Sequence, residues 1–196
     1  MGTLLMSSPD EPHDNWLGAM TASYVRDAAA TVAVLGFFAA SWFGWAQESP
    51  PRAWRLPLAV ASVGSALLAA LGGALTWQHW TQGSVFGQRG TARAFGIVVG
   101  IEVVIAGLGA AVLIWSRRRE FTPTWIALVV GVHFVPLAPL LHYPLLYVAA
   151  AGLVAVTVAA VPVARSREFA LSAVTGIGAG SVLLAVAVLS LVTVLG

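Results

Sequence analysis

The chain has 196 residues, of which 59% are hydrophobic and only 9% charged, with a mean hydropathy of +0.87. A soluble domain carries about 25% charged residues, so the composition excludes a soluble globular enzyme, a disordered chain and a nucleic-acid binder. It predicts an all-α integral membrane protein with six transmembrane helices, short loops and a bilayer as its first partner. There is no cysteine, hence no disulfide and no thiolate chemistry. Lysine is absent and arginine supplies all 10 positive charges, which excludes a Schiff base. Arginine without lysine, beside abundant alanine, valine and glycine, points to a high-GC bacterial genome and so to a bacterial cytoplasmic membrane. The net charge of +2 gives no reason to expect a nucleic-acid partner.

Residues 1–23 are polar and slightly acidic. They lack the basic and apolar regions of a signal peptide and read as a tail with an interfacial turn near Trp16. The single membrane domain then occupies residues 24–196. Apolar runs long enough to span a bilayer follow at 25–46, 55–78, 93–115, 123–141, 143–162 and 168–195. Trp42, Trp45, Trp54, Trp77, Trp80, Trp115 and Trp125 sit near the ends of these runs, as an interfacial belt would place them. The N-tail face collects three arginines (Arg26, Arg89, Arg93) and the opposite face the other seven. By the positive-inside rule both termini then lie outside the cytoplasm. Small residues recur every fourth position in the third span (Ala92, Gly96, Gly100) and the sixth (Ser172, Gly176, Gly180). This spacing lets helices approach closely in lipid; tight packing within the chain is the first expectation and a homo-oligomer face the sharper one.

Glu102 lies well inside the third span. A carboxyl there costs about 2.5–3.5 kcal/mol on insertion scales, so it should face the bundle interior and find a partner. His133 is the candidate. Glu102 is 13 residues before Trp115 and His133 is 10 residues after Pro123, on spans joined by a short loop. Their depths then differ by about 5 Å. Pro136 and Pro139 follow His133 and deprive the carbonyls of Val132 and Val135 of their usual donors. A bend between Gly131 and Pro139 is therefore expected, either in a helix whose neighbours satisfy those carbonyls or as a broken helix beside a midplane ligand or proton site.

Other titratable residues gather at span ends. Arg26, Asp27, His79, Arg93, His142 and Tyr143 fall on the N-tail face and form a candidate outer vestibule. His79 and His142 at one level would suit haem or a metal, but further ligands are few nearby, so neither a metal nor another cofactor is expected. Three classes of function stay open. One is binding or translocation of a small or lipid-like ligand, or a proton, at Glu102 and His133. Another is a structural or accessory subunit. A third is an intramembrane enzyme with Glu102 as general acid, disfavoured because no nucleophile constellation accompanies it.

The segment G-V-H-F-V-P-L-A at 131–138, with Y-P-L-L-Y at 143–147, resembles a segment of small multi-pass bacterial membrane proteins of uncharacterised activity. The resemblance implies a bacterial membrane family and no catalytic residue. In size and Ala/Gly richness the chain is also similar to vitamin-binding subunits of bacterial uptake transporters, which implies a transporter partner.

Overall fold

The computed structural model describes residues 22–196; the expected tail and the turn near Trp16 lie outside the described residues. Six helices are each long and apolar enough to cross a membrane. They are α1 (Val25–Ala46), α2 (Arg55–Gln78), α3 (Thr91–Trp115), α4 (Thr122–Leu140), α5 (Leu145–Arg167) and α6 (Leu171–Leu195). Lipid cannot hydrogen-bond a backbone, so each apolar run closes its own bonds as a helix. Single 3-10 turns at Arg52–Trp54 and Arg119–Phe121 lead into α2 and α4, and a third at Val85–Gly87 lies in the α2–α3 loop.

Helix α1 is the centre of the bundle. It packs on α2 on one side and on α6 on the other; α6 in turn meets α5 and α4, and α4 carries α3. Small residues set the closest approaches. A Cβ on Gly36 would fall 2.9 Å from the Ala69 nitrogen in α2. The buried residues of α2, Leu58, Ser65 and Gly72, recur every seventh position and face this seam. On the other side a Cβ on Gly176 would lie 2.7 Å from the Trp42 carbonyl, and one on Gly180 would lie 2.9 Å from the Phe43 ring. The glycines of α6 therefore serve packing within the chain. The same pattern in α3 does not: Gly96 and Gly100 are exposed and have nothing near them.

Hydroxyls fasten the core. The Tyr143 hydroxyl donates to Ser190 Oγ, which itself donates to the Val186 carbonyl at 2.8 Å. Thr124 and Thr175 hydroxyls meet at 3.0 Å and tie the start of α4 to α6.

Three helices close in the same way, and at the ends of α4 and α5 this closure moves the boundary from the expected one. Arg117, His142 and Glu168 have φ of 58°, 50° and 56°. The next N–H in each case returns to a carbonyl five residues back: Arg118 to Leu113 at 2.7 Å, Tyr143 to Ala138 at 2.8 Å and Phe169 to Ala164 at 3.0 Å. These are Schellman closures in which a side-chain-bearing residue stands where glycine is usual. The fifth span accordingly runs through Pro162 to Arg167, rather than ending at 162, and starts at Leu145, after the closure of α4. A left-handed residue with a Cβ costs about 1 kcal/mol, so Glu168→Gly, at an exposed position, should raise the unfolding free energy by about that amount. A thermal unfolding series in detergent checks this; a lower midpoint would contradict the strain assigned to Glu168.

A second departure concerns α4. The helix runs uninterrupted from Thr122 to Leu140 with Pro136 and Pro139 inside it, so of the two expected forms the broken helix is absent. Gly131 supplies close packing: a Cβ there would lie 3.0 Å from the Leu153 Cβ of α5.

Candidate functional site

Helices α1 and α3 are not packed closely together: α1 packs on α2 and α6, and α3 packs on α4. Between them lies a cavity of about 470 Å³. Each helix gives it one stripe. On α1 these are Asp27, Thr31, Val34, Phe38, Ser41 and Trp45, at alternating spacings of four and three. Helix α3 contributes Phe95, Val99 and Glu102, and α4 contributes Ile126, Val130, His133 and Leu137 with the same alternation. That periodicity is one face of a helix. From Asp27 to Trp45 the cleft is about 27 Å tall, close to the ~30 Å thickness of the bilayer's hydrocarbon core.

Helix α3 is held at three levels, twice by α4 and once by the α2–α3 loop. At the arginine-rich end the Trp125 indole lies directly against Gly109, which leaves no room for a Cβ. At the other end Phe95 meets Phe86 edge-on, with centroids 5.2 Å apart. Midway, Glu102 Oε2 stands 3.4 Å from His133 Nε2, with side chains 16% and 13% exposed. The depth arithmetic on adjacent spans thus corresponds to a real juxtaposition, and both side chains face the cavity. At 3.4 Å the contact is longer than a charge-assisted hydrogen bond of about 2.7–2.9 Å, so both groups keep bonding capacity. His133 Nδ1 lies 2.8 Å from the Val130 carbonyl. A carbonyl only accepts, so Nδ1 carries the hydrogen and the lone pair of a neutral ring lies on Nε2, toward Glu102.

The other carboxyl and hydroxyl side chains of the lining are already engaged. Thr31 Oγ1 donates to the Asp27 carbonyl at 2.8 Å and Ser41 Oγ donates to the Phe37 carbonyl at 2.9 Å. The Asp27 carboxylate accepts from Ser84 Oγ at 2.7 Å and from the Val85 N–H at 2.8 Å. It thereby folds the α2–α3 loop over the N-tail end of the cleft, where Val85 is 1% exposed. Among the described residues, Glu102 and His133 are the ionisable pair in this cavity that is not taken up by a loop. No arginine lines it.

The residues expected at an outer vestibule are not gathered at this cavity. Of its six residues only Asp27 reaches the cavity. Arg26 donates to the Trp80 carbonyl at 3.2 Å and lies 4.3 Å from the centroid of that residue's ring, an aromatic anchor for the cation. His79 turns Nδ1 to the Leu75 carbonyl at 2.8 Å and caps its own helix. Arg93 points out from the first turn of α3, and His142 is exposed in its left-handed turn. Tyr143 is 1% exposed and faces α6, because the turn at His142 directs its ring into the core. The stripe on α1 and the Ser84–Val85 lid escaped the sequence reading. The signal available was the polar spacing of Asp27, Thr31 and Ser41, which lies on one face of α1.

The comparisons with protein-family models, with curated proteins and with solved structures gave no match for this chain.

Proposed function

We propose that this multi-pass membrane protein binds a lipid-like molecule in the cleft between α1 and α3, with Glu102 and His133 as its polar anchor. One observation carries the reading: an otherwise apolar cavity, about as tall as a bilayer core, holds at mid-height an ionisable pair with spare hydrogen-bonding capacity. Ligand sites are typically apolar clefts with a few convergent polar groups, and a carboxyl in mid-membrane marks function more often than not. The mouth of the cleft lies between α1 and α3, where Val34 is 52% and Phe38 is 48% exposed, so entry is lateral, from the acyl region of the bilayer. The continuous α4 removes the broken-helix support for translocation, and binding is the reading retained. The arginine bias supports a bacterial inner membrane with the Arg117–Arg119 end in the cytoplasm.

Native mass spectrometry of the detergent-purified protein tests the proposal. Wild type should retain a hydrophobic adduct of defined mass. Val34→Trp, which fills the mouth from an exposed position, should lose at least about nine-tenths of it while eluting as wild type. Equal adducts in the two proteins would sink the cleft as the binding site.

A further inference from the structure

We propose that the cleft takes a neutral, single-chain lipid with a hydroxyl head, an acyl or prenyl alcohol, whose oxygen sits on Glu102 and His133; this rests on the lipid-binding reading above. Charge decides first. With Nδ1 committed to the Val130 carbonyl, the cost of a bare carboxylate in a low-dielectric cleft favours one proton on the Glu102–His133 Nε2 pair, and the pair then has zero net charge whichever partner holds it. A head with a net charge would leave that charge uncompensated in a low-dielectric cleft, at a cost of several kcal/mol. Phosphate and carboxylate heads would need a cation, and no arginine lines the cavity.

Hydrogen-bond polarity decides next. Among the described residues no hydrogen bond reaches Glu102 Oε1, and Oε2 and Nε2 are 3.4 Å apart, close enough for one oxygen to touch both. A hydroxyl both donates and accepts. If the proton is on Nε2, the hydroxyl accepts from His133 and donates to the carboxylate. If it is on Glu102, the hydroxyl accepts from the carboxyl and donates to Nε2. A carbonyl head only accepts and an ammonium only donates, so each satisfies one partner of the pair and leaves the other bare.

Shape decides the tail. A cavity of about 470 Å³ drawn out along about 27 Å of helix is elongated and of the size that holds one small ligand, which suits a single extended chain. Phe38, Phe95 and Phe134 supply the walls on either side of the pair. The exposed Val34 and Phe38 mark where the chain enters.

Photolabelling of the full-length protein in lipid nanodiscs is the test. Three probes carry the same chain diazirine: hexadecanol, hexadecanoate and hexadecane. At neutral pH the alcohol should label cleft residues such as Val99 and Ile126 about tenfold more than the alkane does, the worth of a pair of hydrogen bonds. Unlabelled alcohol should compete. Glu102→Leu and His133→Phe should each bring the alcohol down to the alkane's level, and Val34→Trp should abolish cleft labelling. Wild type alone separates the probes, so the comparison survives a variant that fails to fold. Equal labelling by alcohol and alkane would overturn the hydroxyl head while leaving lipid binding intact. Labelling by hexadecanoate at or above the alcohol's level would overturn neutrality. If no probe labels the cleft above the lipid-facing Leu67 of α2, the lipid-binding reading itself fails.

Discussion

Gly72→Val should cost the folded bundle about 3 kcal/mol, the upper range for forcing atoms into a packed interior. Gly72 is buried in α2, and a Cβ there would lie 2.9 Å from both the Ala33 Cα and the Val32 carbonyl carbon of α1. Those neighbours are backbone and cannot rotate away. Relief requires the helices to separate, which undoes the reciprocal seat of Gly36 against Ala69 and the bond from Ser62 Oγ to the Ala40 carbonyl at 2.9 Å. In lipid this close contact is the chief attraction between α1 and α2, because no water is expelled when they meet. Gly73→Val is the control. Gly73 has nothing within 4 Å of its Cβ position, and valine has the better helix propensity by a few tenths of a kcal/mol. Unfolding monitored by tryptophan fluorescence in mixed micelles should place Gly72→Val far below Gly73→Val. Coincident curves would show that α1 and α2 do not approach as described.

The second large effect is local. Asp27→Ala removes the acceptor for Ser84 Oγ and for the Val85 N–H, and leaves a buried amide without a partner. A hydrogen bond to a charged group contributes about 1.5–3 kcal/mol. The opening equilibrium of the α2–α3 loop should shift by that amount, so exchange of the Val85 amide should accelerate roughly 10- to 100-fold. Asp27 also lies in the first turn of α1, where a carboxylate complements the helix dipole. Asp27→Asn, which keeps one acceptor, should give an intermediate rate. Amides in the middle of α5 should be unchanged, because the loop is far from that helix. An unaltered Val85 rate in Asp27→Ala would show that the carboxylate does not hold the lid.

The positions of Glu102 and His133 were legible because three simple quantities sufficed: depth in the span, the length of the connecting loop, and the energetic cost of a carboxyl facing lipid. The role of Asp27 was not legible. Its partners, Ser84 and Val85, are 57 and 58 residues away, and no local spacing announces a loop that folds back over a helix start. Pro136 and Pro139 left a broken and a bent helix equally open for a related reason. A proline removes one donor, but whether the helix breaks depends on what surrounds it, and α4 is braced by α5 and α6.

By itself the sequence determined that the chain lies in a membrane as six helices and that a carboxyl and an imidazole share one depth. Both follow from apolar run length and from the need of a backbone in lipid to bond within its own segment. Only the tertiary structure decided which helices touch. The small-residue stripes of α3 and α6 have the same spacing, yet Gly176 and Gly180 are seated on Trp42, Phe43 and Ala46 while Gly96 and Gly100 meet nothing. A stripe states that a close approach is allowed; a complementary surface, here the Trp42–Ala46 end of α1, must exist for it to occur. Because α3 has no such surface on α1, the helix it packs on is α4, and the space left between α1 and α3 is the cleft.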